Sequence, residues 1–214
     1  DGTIYFSDIT FTRTAGMQAG HLMKYDPKTG EVGVFRSPSG MSNGIKFDAR
    51  GNMIVAEGAD FGGRRVIRTD MKTGKSFIIG GFYQGKQFNA PNDISIDLKG
   101  RIYFSDPRYV GHEPLEQGAM AVYRIDQDGS IHQIITDAGK PNGVCVSPDQ
   151  KTLYVVSNDN GNFDIFQFSQ EVSFHKGRMA LLAYDLSPEG TATFRKILVD
   201  YYPQDGPDGL VVDV

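Results

Sequence analysis

The sequence predicts an all-β protein of the β-propeller type, and three observations carry that expectation. A unit of about 49 residues recurs along the 214-residue chain, with Asn43, Asn92 and Asn142 standing 49 and 50 positions apart at its start. Each complete unit holds four β-rich runs joined by turns rich in Asp, Lys and Gly, which is hairpin chemistry. Within the runs apolar residues alternate, and no helical periodicity extends beyond a turn or two. Four strands in just under 50 residues match a propeller blade, whereas a sandwich would show no such self-similarity.

The elements follow in order. DGTIYFSDIT (1–10) reads as the back half of a unit, and HLMKYDPKTGEVGVFRSP as strand, turn near Asp26–Gly30, strand. SNGIKFDARGNMIVAEG (42–58), PNDISIDLKGRIYFSDP (91–107) and PNGVCVSPDQKTLYVVSN (141–158) each read as a polar start, a strand, a turn and a second strand. RVIRTDMKTGKSFIIG, AVYRIDQDGSIHQIITD and MALLAYDLSPEGTATFRKILVD supply the two outer strands of their units. GPDGLVVDV (206–214) repeats the front half, with Asp208 where the asparagines stood. Residues 1–214 are thus expected to form a single propeller domain holding about four blades' worth of sequence. Both ends stop inside a unit, so a fragment is expected, with the opening and closing blade portions outside this sequence.

Composition narrows the function classes. Hydrophobic residues make up 39% of the chain and aromatics 11%, enough for a packed core, while 26 glycines and 10 prolines fit many tight turns. A net charge of −4 without basic runs argues against nucleic acid or an anionic membrane as partner. No apolar run reaches membrane-spanning length. The single cysteine, Cys145, excludes an internal disulfide framework and reads as a small buried hydrophobe in the apolar run GVCVS rather than a nucleophile. A soluble protein of the cytoplasm or periplasm is expected; compartment and oligomeric state stay open.

In an up-and-down blade the start of the first strand and the loop after the second share one face. Asn43, Asn92, Asp93, Asn142 and Asp208 therefore gather around the central channel, with Asp8, Glu57, Asp106 and Asn158 at the ends of second strands as a rim. Amide carbonyls plus a carboxylate, without thiolate or imidazole, form a hard oxygen-donor set that suits calcium better than zinc or copper. Asparagine also caps turns for local reasons, which is the simpler account of any one of them; their common phase in the repeat favours the ligand reading, least strongly at Asn43. In the long loop PRYVGHEPLEQG, Arg108 and His112 are expected over this site, His112 as a proton shuttle. Arg64 and Arg65 read as solvated loop residues, His21, His132 and His175 as structural, and NDNGNFD (158–164) as a polar surface loop.

Taken together, GTIYFSDI, YDPKTGEVGVF, SNGIKFDARGNMIVAE, APNDISIDLKGRIYFSDP, KPNGVCVSPDQKTLYVV and GPDGLVVDV resemble the SMP-30/gluconolactonase family of six-bladed calcium-dependent propellers, across essentially the whole chain. PND, PNG and PDG at blade spacing are the specific part. The resemblance implies that Asn142 is a metal asparagine and Asp208 a metal-binding aspartate serving as general base. It implies that Asn92 binds the metal or contacts substrate, and that Asp93 is the adjacent substrate-facing or supporting group. The glutamate ligand that such proteins carry in their opening blade is expected upstream of Asp1. Ala90 stands where sugar-acid lactonases of this family carry an arginine.

The expected function is hydrolysis of a lactone or related small-molecule carboxylic ester, sugar-derived or aliphatic, with Ca2+ or another divalent metal polarising the carbonyl and Asp208 assisting a water. The alternatives are a calcium-dependent phosphotriesterase and a non-catalytic calcium-binding propeller.

Overall fold

The computed structural model describes residues 2–9, 20–161 and 176–213. His175 and the end of the 158–164 loop lie outside the described residues. Seventeen strands, and no helix among the described residues, form four antiparallel sheets and one small hairpin. The first sheet is β1 (Ile4–Asp8), β2 (His21–Asp26) and β3 (Glu31–Arg36). The second is β4 (Ser42–Phe47), β5 (Met53–Glu57), β6 (Arg65–Thr69) and β7 (Ser76–Gly80). After the hairpin β8 (Phe82–Tyr83) and β9 (Lys86–Gln87) comes the third, β10 (Ile94–Ile96), β11 (Ile102–Asp106), β12 (Ala121–Ile125) and β13 (Ile131–Ile135). The fourth is β14 (Pro141–Val146), β15 (Thr152–Asn158), β16 (Met179–Leu186) and β17 (Ala192–Asp200).

In each sheet spatial order equals chain order, the meander that the repeat predicts. The first strands adjoin one another: β4 touches β1 and β10, and β10 touches β14. The apolar core lies between sheets rather than within them. Leu22 of the first sheet packs with Met53, Val55 and Ile67 of the second. Ile54 and Val66 pack with Ile94, Phe104 and Tyr123 of the third, and Tyr103 and Val122 with Val144, Val155 and Leu182 of the fourth. Alternation along each strand lets both faces of a sheet serve a neighbour, so sheets stacked side by side hold their inner strands around a common axis.

Two elements differ from the sequence reading. The β8–β9 hairpin was not expected; it turns on Gln84 and Gly85, both at positive φ (50° and 76°), as a two-residue hairpin requires. The closing GPDGLVVDV, expected as a first strand, forms no strand through residue 213. Its alternating pattern is intact, but a β-strand exists only against a partner, and it bonds the fourth sheet through the Gly143 N–H to Asp208 O at 3.1 Å.

Candidate active site

The strand starts line a half-open cavity of about 320 Å³ whose polar lining is Asn43, Asn92, Asn142, Asn158, Asn160 and Asp208, with Tyr109 beside them. Met41, Ala59, Pro91 and Val110 supply apolar wall. The repeat thus brings together the four residues that stand in phase, Asn43, Asn92, Asn142 and Asp208.

Local chemistry explains the convergence. In SNG and PNG the glycine after the asparagine lets the next unit pass at backbone distance. A Cβ on Gly44 would lie 2.7 Å from Asn92 O, and one on Gly143 2.8 Å from Asp208 O. Those approaches carry hydrogen bonds, Gly44 N–H to Asn92 O at 2.7 Å and Gly143 N–H to Asp208 O. Serines of the preceding sheet hold the asparagine backbones: Ser7 Oγ donates to Asn43 O at 2.8 Å and Ser105 Oγ to Asn142 O at 2.5 Å. Each inner strand start is therefore tied to the unit before it and the unit after it.

Asn142 is 5% exposed, and its Oδ1 is buried without a hydrogen-bond partner. A buried carbonyl left unpaired is costly, and a bound cation would supply the missing partner. Among the described residues no group of three or more His, Cys, Asp or Glu could hold a metal. A cation at this cavity would accordingly rest on amide oxygens of Asn142 and Asn92 with the Asp208 carboxylate, a donor set chemically suited to a hard divalent ion.

Asp93 does not line the cavity. Its Oδ2 accepts the Val144 N–H at 2.9 Å and its Oδ1 its own neighbour Ile94 N–H at 2.8 Å, so it staples the third sheet to the fourth beside Asn142. Burial raises its pKa, with the Asp208 carboxylate adding to the upward push. Asp106, expected on the rim, is fully buried: its carboxylate accepts the N–H groups of Asn89 (2.9 Å) and Ala90 (2.7 Å) and so holds the loop that carries Asn92. Burial pushes its pKa up to about 7.

A family model for the SMP-30/gluconolactonase/LRE-like region matches residues 1–214. The chain belongs to this family. It is 28% identical over 232 aligned positions to a gluconolactonase of Zymomonas mobilis, covering all of this chain and 61% of that protein. Against a lactonohydrolase of Aspergillus oryzae it is 30% identical over 154 positions, covering 66% of this chain and 35% of that one. The solved structure of a Xanthomonas campestris gluconolactonase superposes with a TM-score of 0.73 at 25% identity, over 97% of this chain and 67% of that one. The chain spans about three fifths of the first curated relative and about one third of the second.

Within this SMP-30/gluconolactonase family member, two residues expected over the cavity stand away from its lining. Arg108 is 1% exposed, and its guanidinium donates to the carbonyls of Asn89 (2.8 Å), Gly111 (3.3 Å) and Glu113 (2.7 Å). It shapes the loop from inside. The His112 imidazole lies 3.5 Å from Asp60 and packs on the Phe61 ring at 4.2 Å. Arg64 is not solvated as expected: it is 4% exposed, with Nε on Phe88 O at 2.7 Å, because the loop folds back over it and offers carbonyls and Glu116. Glu57 faces a separate cleft, paired with Arg65 Nε at 2.6 Å. Asn158 does reach the cavity, as the rim reading expected.

Tyr109 and Lys140 escaped the sequence reading, and Asn160, read as part of a polar surface loop, lines the cavity. Tyr109 sits between the singled-out Arg108 and His112; its phenol donates to Asn158 O at 3.0 Å. Lys140 is 1% exposed, donates to Asn160 Oδ1 at 2.7 Å and sits 4.8 Å above the Tyr109 ring centre. Burial lowers its pKa to about 8, with Asp159 pulling the other way. The position one residue before PNG was the available signal, since it abuts the site in sequence.

Proposed function

We propose that this protein hydrolyses a lactone in the cavity lined by Asn92, Asn142 and Asp208, within a six-bladed propeller. The observation that carries the reading is the convergence of these residues, remote in sequence, on one cavity in a member of the SMP-30/gluconolactonase/LRE-like family. The relatives are named for gluconolactone and lactone hydrolysis. A cavity of about 320 Å³ suits a single small ring.

Asn142, Asp208 and Asn92 would hold a calcium ion, which when bound supplies Lewis-acid polarisation of the lactone carbonyl. The remaining chemistry belongs to the chain. Asp208 orients the attacking water and takes its proton as the water oxygen bonds to the carbonyl carbon. The ring C–O bond then breaks, and the proton passes to the departing alkoxide, giving the hydroxy acid. Amide N–H groups of the lining asparagines position the ring, and Met41, Ala59 and Val110 limit bulk water. The side chain at Ala90 leaves room rather than the positive charge that sugar-acid lactonases of the family carry there, which fits a neutral ring better than a sugar acid lactone.

The test is a pH-stat assay with a six-membered aldonolactone, an unsubstituted aliphatic lactone and a phosphotriester, each with calcium and with chelator. Calcium-dependent acid release from a lactone is the expected outcome. Turnover of the phosphotriester alone would replace the reading, and no turnover of any ester with bound calcium would make the propeller a non-catalytic binder.

A further inference from the structure

The cavity lining is of two kinds. Its polar groups come mostly from the strand starts, while its apolar wall includes Met41, Ala59 and Val110, each from a different loop. Met41 precedes β4, Ala59 follows β5 and Val110 follows β11.

These three loops are fastened to one another. The Gly58 N–H donates to Met41 O at 2.8 Å and the Gly63 N–H to Gly40 O at 2.9 Å, which ties the loop after β5 to the start of β4. The Glu113 carboxylate accepts the N–H groups of Asp60 at 3.1 Å and Phe61 at 2.7 Å, which ties that loop to the one after β11. A Cβ on Gly111 would lie 2.8 Å from the Ala59 Cβ, so the two loops meet beside Val110 with no room for a side chain. Met41, Asp60 and Phe61 all hold positive φ, at 57°, 66° and 63°. Residues other than glycine keep such a backbone only where their surroundings fix it, and residues held in this way gather at ligand sites.

The polar groups, by contrast, are largely engaged within the protein. Asn158 Nδ2 donates to Gly206 O at 3.4 Å and Pro207 O at 3.2 Å, the Tyr109 phenol donates to Asn158 O, and Asn160 Oδ1 accepts the Lys140 ammonium. With Asn92, Asn142 and Asp208 given to a cation, few donors are left for the hydroxyls of a sugar ring. Among the described residues no Lys, Arg or His lines the cavity. Arg64 and Arg108, the nearest in sequence to its wall, spend donors on loop carbonyls instead.

We propose that the lactone this cavity takes carries a nonpolar alkyl substituent, seated on the wall of Met41, Ala59 and Val110, and that Glu113 is the positioning residue that holds this wall together. The inference rests on the reading that the cavity hydrolyses a lactone. The bonds made and broken are those of that reading; the substituent contributes burial. Each methylene moved from water onto an apolar wall favours binding by about fourfold.

The experiment is a pH-stat comparison, with calcium present, of glucono-δ-lactone, δ-valerolactone, δ-hexalactone and δ-octalactone. It uses wild type, Val110→Asn and Glu113→Gln, with melting temperature as the control for folding. In wild type, kcat/KM is expected to rise by up to about fourfold for each methylene added to valerolactone, and octalactone is expected to exceed gluconolactone. Val110→Asn, which sets an amide in the wall, should bring the octalactone-to-valerolactone ratio close to one. Glu113→Gln, which turns an NH2 toward one of the two backbone N–H groups, should lower that ratio chiefly through a raised KM for octalactone. A wild-type ratio near one, or gluconolactone ahead of octalactone, overturns the inference and leaves the lactonase reading standing. A ratio unchanged in Val110→Asn, or in folded Glu113→Gln, overturns the inference as well. Turnover of none of the four lactones overturns both the inference and the reading beneath it.

Discussion

The pentapeptide IYFSD occurs twice, as β1 (Ile4–Asp8) and as β11 (Ile102–Asp106), and the two copies live in opposite environments. All of β11 is buried, whereas β1 alternates between exposed and half-buried. Phe104 is 0% exposed and packs at 5.0 Å on Phe88 and 5.4 Å on Tyr123, while Phe6 is 40% exposed. Asp106 accepts two backbone N–H groups below the Asn92 loop, while the Asp8 side chain is 54% exposed and lies 3.7 Å from His21. Only the serines keep one role, each holding the backbone of the next unit's asparagine. The same five side chains become core and loop anchor in the third sheet, packed between the second and fourth, and stay open in the first, packed on the second, so neighbours rather than residue type set the chemistry.

The largest effect expected from this contrast is in packing. Phe104→Ala should cost about 3–5 kcal/mol in chemical denaturation, the range for buried aromatic truncation, and Phe6→Ala about 1 kcal/mol or less. Equal costs would break the comparison. Next comes the carboxylate pair. Asp106→Asn sets an NH2 against one of the two N–H groups it now accepts, at about 1–3 kcal/mol, whereas Asp8→Asn should stay within about 0.5 kcal/mol. Asp106→Asn should also slow lactone turnover through the Asn92 loop, which Asp8→Asn should not.

The third effect is a pH slope. Burial raises the folded-state pKa of Asp106 from 3.8 to about 7, against the pull of Arg108 and Arg64. Between those values the folded protein keeps a proton that the unfolded chain has released, so this contribution to stability is full below 3.8 and fades as pH rises through about 7. The melting temperature of wild type and Asp8→Asn should fall from pH 5 to pH 8 by more than that of Asp106→Asn. Parallel curves for all three would remove Asp106 as the source.

The repeat made the strand meander and the polar residues at the strand starts legible, because period-2 alternation and Asn-Gly pairs act locally. The IYFSD repeat could not reveal which copy is buried, since that depends on the sheet packed against each. Arg64 read as solvated and Arg108 as reaching over the site, and both misled for the same reason: the loop closes over each long charged side chain and supplies carbonyls. Tyr109 carried no spacing signal, as its place is set by Asn158 and Lys140 meeting it from other elements. GPDGLVVDV showed its polar residue correctly at the cavity but not its lack of a paired strand.

The most direct test of the central claim is lactone hydrolysis by chelator-treated protein before and after calcium is restored, in wild type and in Asp208→Ala. The account predicts that metal-free wild type is inactive, that calcium restores turnover, and that Asp208→Ala stays inactive and binds calcium more weakly while still folded. Full turnover by the metal-free protein, or by Asp208→Ala, would contradict it.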